Sequence, residues 1–152
     1  MTLTSILIRI GLAASLTVSA YCHAYLYVHG YQHIPSIGTA FLVQASVSFA
    51  IAALILVGGP GWLSWAGAAT AGGSLVAFAL SRTVGVFGFS EQGWDPSPYA
   101  AVSVGAEAMT VLLWAVVAAR QSGLLRWYQD RGQLRKVFRQ VSSASASASN
   151  EI

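Results

Sequence analysis

Residues 21–33, YCHAYLYVHGYQH, hold all three histidines, the single cysteine and four of the six tyrosines of the chain. Imidazoles ligate metals and relay protons. Tyrosines crowd equally well into the aromatic belt where a helix leaves a bilayer. His29 and His33 are four apart, a spacing that on a helix would turn both rings toward one metal ion. Glu91 and Asp95 repeat that spacing further on, and the four could form a nitrogen–oxygen site suited to zinc or copper. Gly30 and Pro35 work against a regular helix there, so the metal reading stands as an alternative only. Haem between two helices lacks a second ligand, because His23 is the only histidine inside an apolar run. Phosphate loops, nucleophile elbows and dinucleotide fingerprints are absent, so no catalytic residue is assigned and no cofactor is expected.

The elements that position these residues are set by hydropathy. Of 152 residues, 55% are hydrophobic and 9% charged, far below the roughly 25% charge of soluble domains. Runs of about 20 apolar residues span a bilayer as helices. Four are expected, at about 6–27, 39–57, 62–82 and 98–119, making an all-α four-helix transmembrane bundle. Val18-Ser19-Ala20 looks like a signal-peptide cleavage site, but the apolar character runs on through Tyr27, which favours an uncleaved anchor. Gly58-Gly59-Pro60-Gly61 reads as a tight turn, and Ser97-Pro98 as an N-cap followed by the first helical residue. Seven of eight basic residues are Arg, in keeping with a GC-rich bacterial genome. One cysteine excludes an intramolecular disulfide.

Arg and Lys stay on the cytoplasmic side. Arg120, Arg126, Arg131, Arg135, Lys136 and Arg139 flank the last span and Arg9 the first, whereas the loop at 28–38 has no basic residue. Both termini are therefore expected inside the cell membrane, with both longer loops outside. Residues 121–141 read as a basic amphipathic cytoplasmic helix, with Arg126, Arg131, Arg135, Lys136 and Arg139 meeting anionic lipid. Residues 142–152 read as a disordered low-complexity tail. The net charge of +3 comes from the basic segment between Arg120 and Arg139 and gives no reason to expect nucleic acid as a partner. The expected partners are the bilayer, its anionic lipids and, as an open possibility, further copies of the chain or a larger membrane complex.

The spans also carry a polar pattern. Ser15, Ser19, His23 and Tyr27 recur every fourth residue and share one helix face. Gln44 and Ser48, Thr70 and Ser74, and Ser103, Glu107 and Thr110 supply polar groups on the other three spans. At 1.5 Å per residue, His23, Gln44 and Glu107 lie roughly 6–14 Å below the outer helix ends, with Arg82 closing the third helix on the same side. A carboxylate near a span centre costs about 2.5–3.5 kcal/mol on insertion scales, so Glu107 should face inward and take Arg82 or His23 as partner. His23, Gln44, Arg82 and Glu107 thus form an expected intramembrane cluster, either a clasp that fixes helix register or a ligand site. Gly67, Ala68, Gly72 and Gly73 allow close helix approach, read as packing within the bundle.

The element LSRTVGVFGF at 80–89, then Glu91, Trp94-Asp95-Pro96 and Glu107, together with HIPSIGTAFLVQ at 33–44, resembles a group of small four-helix integral membrane proteins of GC-rich bacteria. That group carries an SRTVG-type element after its third helix, and the likeness spans roughly residues 20–115. It implies the four-helix architecture and no activity. The architecture also looks like that of small four-helix multidrug exporters, whose essential glutamate lies in a first helix that here has none. The reading reached is a non-enzymatic accessory or small-ligand-binding membrane component. The alternatives are a small proton-linked transporter using Glu107 and a metal or redox protein using the histidines.

Overall fold

A helix satisfies its own backbone, which is why apolar runs of this length adopt it. The computed structural model describes residues 3–148, with side chains described through residue 123. Its helices are α1 (Leu3–Val28), α2 (Ile37–Leu56), α3 (Trp62–Ser81) and α4 (Tyr99–Ala148), with a short 3-10 turn at Tyr31–His33. No strand occurs among the described residues; one isolated bridge pairs Val86 with Phe89. Among the described residues four helices are long and apolar enough to cross a membrane, the last as Tyr99–Gly123.

Side-chain contacts give the order of the bundle within residues 1–115. Ser15 meets Thr110 and Ser19 meets Glu107, so α1 and α4 run antiparallel. Leu16 packs near Gly67 while His23 reaches Ser74, so α1 and α3 run parallel. The tightest approach of α3 is at Gly67, where an added Cβ would lie 3.1 Å from Leu16 Cδ1; Gly72 and Gly73 meet nothing within 4 Å. The small-residue stripe therefore contributes to packing at its N-terminal part and leaves its later glycines open.

Two apolar clusters bracket the interior. Leu12, Leu16, Ile51, Ile55 and Leu63 close the end near the α2–α3 turn. There Arg9 donates to the Gly59 carbonyl at 3.0 Å. Leu26, Tyr31 and Ile37, with Phe41 and Phe89 packed on them, close the other end. Between these clusters the polar side chains of Ser15, Ser19, His23, Ser103, Glu107 and Thr110 are buried, beside small apolar ones such as Ala20, Cys22 and Ala45. Large apolar residues such as Leu42, Phe49, Trp65, Val76 and Leu112 face outward. A polar interior inside an apolar shell is what a hydrocarbon solvent selects.

Two boundaries differ from expectation. Ser97 is not the N-cap: the fourth helix begins at Tyr99, with Pro96 and Pro98 carbonyls accepting from Ala100 and Val102. Because Pro96 and Pro98 lack N–H groups, their carbonyls can open the ladder without stranding a donor. α4 also continues past residue 119 through the basic segment and the Ser/Ala run to Ala148, alanine being the strongest helix former. Val116–Ile152 forms a separate compact unit. The side chains of Arg126, Arg131, Arg135, Lys136 and Arg139 and the end of the expected tail lie outside the described residues.

Candidate functional site: a polar-floored cavity between the helices

The i, i+4 spacing of α1 lays Ser15, Ser19 and His23 along its α4-facing side. Ser15 and Thr110 hydroxyls lie 2.7 Å apart. One turn further, Ser19 donates to Glu107 Oε1 at 2.9 Å, and Ser103 donates to the same oxygen at 3.1 Å. A turn beyond, His23 Nδ1 lies 2.9 Å from the Ser19 carbonyl, which can only accept, so Nδ1 carries the hydrogen. His23 Nε2 then faces Ser74 Oγ at 3.3 Å and Glu107 Oε1 at 3.8 Å. Glu107 is 1% exposed, so its carboxyl depends wholly on these partners.

Arg82 does not join that pair. It caps α3 and binds Glu91 Oε2 at 2.9 Å while its guanidinium stacks 4.6 Å over the Phe78 ring. Local backbone geometry arranges this meeting. The Leu80 carbonyl accepts from Gly85, whose φ of 81° only glycine adopts freely, and the chain turns back so that the Glu91 N–H reaches the Ser81 carbonyl. Arg82 also donates to the Asp95 carbonyl, which fixes the later part of the same loop.

A second correction concerns Tyr31. An aromatic belt would leave it at the surface, but it is buried, stacked on Phe41 at 4.6 Å between ring centres, edge-on to Phe89, and hydrogen-bonded to Glu91. Tyr25, by contrast, stacks against Tyr99 and His29. The Tyr31–Glu91 meeting spans 60 residues of sequence, and no local spacing announces it.

Burial first, then the hydrogen bond to Glu91 and the charge of that carboxylate, push the Tyr31 hydroxyl far above its usual 10.0; Arg82 acts in the opposite direction. The folded state thus holds this proton more tightly than the unfolded chain. The resulting stability is complete below about pH 10 and is lost as pH rises through the folded value. In an alkaline titration followed by tyrosinate absorbance, Tyr31→Phe should remove one tyrosine from the last phase. It should also cost about 1.5–3 kcal/mol, as for a hydrogen bond to a charged group. An unchanged last phase in that variant would refute the assignment.

The metal alternative finds no support in the geometry. No group of three or more His, Cys, Asp or Glu occurs among the described residues. α1 ends at Val28 and the 3-10 turn follows, so His29 and His33 do not share a helix face. His29 bonds the Tyr25 carbonyl, His33 lies beside Gln32, and Glu91 is committed to Arg82 and Tyr31.

His23, Gln44, Arg82 and Glu107 all line one cavity of ≈ 280 Å³. Its floor is the His23–Glu107 pair with Ser74 and Ser103, and its mouth carries Arg82, Glu91 and Tyr31. Phe41, Phe78, Phe87 and Phe89 join Tyr31 in an aromatic wall. On α2, Gln44 Nε2 and Ser48 Oγ are buried with no hydrogen-bond partner among the described residues. Buried amide donors are rarely left unused, so Gln44 marks this wall as unfinished.

No family model, curated protein or solved structure matches this chain.

Proposed function

We propose that the chain is a four-span protein of the cell membrane that binds a small molecule in the cavity floored by His23 and Glu107, acting as a non-enzymatic component. The observation that carries this reading is the unpartnered Gln44 amide on a mostly apolar cavity whose floor holds a buried acid–imidazole pair. Apolar walls with a few convergent polar groups are the usual make-up of ligand sites. The distribution of Arg and Lys supports cytoplasmic termini and a cavity opening outward, with the basic segment after residue 120 resting on anionic lipid.

A second reading draws on Glu107 and His23 alone: an intramembrane acid beside an imidazole is also the apparatus of a proton-linked carrier. Detergent-purified protein should gain thermal stability with small ring-sized compounds, in proportion to the logarithm of their concentration above Kd. Ala77→Phe, which puts a ring into the cavity lining, should abolish the gain while leaving helicity unchanged. A gain that persists in Ala77→Phe would remove the cavity as the site. Proton flux in liposomes, lost in Glu107→Gln, would move the carrier reading to first place.

A further inference from the structure

We infer that the cavity takes a neutral, single-ring hydroxylated aromatic, such as a phenol or a hydroquinone head, with its hydroxyl between Glu107, His23 and the Gln44 amide. This rests on the ligand-binding reading above and names the ligand class. Size comes first: ≈ 280 Å³ is about twice the roughly 150 Å³ of a cavity known to take benzene, enough for one substituted ring. Charge comes second. Arg82 is balanced by Glu91, so the lining leaves no free cation for an anion, and a charged ring would have to shed its hydration into a mostly apolar cavity.

Hydrogen bonding narrows the class. Gln44 Nε2 is a donor without a partner among the described residues, and the Glu107 carboxyl presents acceptor capacity. A hydroxyl is the smallest group that accepts from one and donates to the other. The wall then selects what carries it. Phe41, Phe78 and Phe89 together with Tyr31 offer both ring faces and ring edges, the arrangement in which aromatic partners pack at about 4.5–7 Å. A flexible aliphatic alcohol would fill the volume without those contacts and would lose more rotational freedom on binding.

The test is the affinity of detergent-purified full-length protein for phenol, hydroquinone, toluene, benzoate, benzylammonium and cyclohexanol, each corrected for partition into protein-free micelles. Phenol and hydroquinone should bind at least tenfold tighter than toluene and cyclohexanol, with benzoate and benzylammonium weakest. Gln44→Leu should shrink the phenol-to-toluene ratio several-fold while toluene binding is kept, which separates a lost hydrogen bond from a damaged fold. Equal binding of phenol and toluene, or tightest binding of a charged ring, would overturn the hydroxyaromatic class and leave the ligand-binding reading standing. Failure of every compound to bind would overturn both.

Discussion

Glu107→Leu should lower the unfolding free energy of the bundle in mixed micelles by about 2–3 kcal/mol, while Glu107→Gln should lower it by about 1 kcal/mol or less. The difference follows from what Oε1 does. It receives Ser19 from α1 and Ser103 from α4, so one oxygen ties two helices. Leucine fills a similar volume but strands both hydroxyls and leaves His23 Nε2 with Ser74 alone. A stranded buried hydroxyl costs about 1–3 kcal/mol. Hydrogen bonds between membrane helices average only about 0.6 kcal/mol, because the unfolded segments find other partners in the bilayer. Two serines and an imidazole together therefore come to a few kcal/mol, well below the sum of the isolated penalties. Glutamine keeps an Oε1 acceptor for both serines and gives up only its share of the 3.8 Å contact with His23. If Glu107→Leu proved as stable as the parent protein, Glu107 would have no role in joining α1 to α4. A carboxyl held there without structural return would then have to be explained by function alone.

The same residues show how far one sequence reaches. Helix existence was legible because about 20 apolar residues in a row leave the backbone no other way to satisfy itself in hydrocarbon. The shared face of Ser15, Ser19 and His23 was legible too, since a four-residue repeat is a property of one helix. What faces that stripe is a property of two helices. Thr110 opposite Ser15 and Ser103 opposite His23 depend on the antiparallel register of α1 and α4, which loops of any ordinary length would permit to slip. Arg82 illustrates the limit from the other side. Depth counting put it in the same layer as Glu107, but the turn at Gly85 returns Glu91 to the end of α3 and gives Arg82 a nearer partner. Counting residues along straight helices cannot see a loop that folds back. The four-residue spacing of His29 and His33 assumes a helix that Gly30 and Pro35 already argued against, and α1 ends at Val28.

Gly38→Ala should be the most damaging single-methyl change at the Tyr31 end of the bundle, costing about 3 kcal/mol and weakening cavity binding with it. A Cβ at this position would stand 2.5 Å from the Tyr31 carbonyl and 3.1 Å from both Cα and O of Gln32. All three are backbone atoms, so no side-chain rotation makes room, and overpacking of this kind reaches the top of the usual range of about 1–3 kcal/mol. The relief available is for the start of α2 to draw away from the 3-10 turn. That turn carries Tyr31, which stacks on Phe41 of α2 and reaches across to Glu91. Displacing it loosens the aromatic wall and the Arg82–Glu91 mouth together, so stability and ligand affinity should fall in one step. Gly105→Ala supplies the comparison: nothing lies within 4 Å of the added methyl, and alanine is the better helix former by about 1 kcal/mol. Unfolding in detergent and cavity-ligand affinity should both be measured on the pair. Equal stability of the two variants would mean that the α2 start and the Tyr31 turn are not in contact. A Gly38→Ala protein that lost stability but bound ligand normally would detach Tyr31 from the site and leave the floor, rather than the mouth, in control of binding.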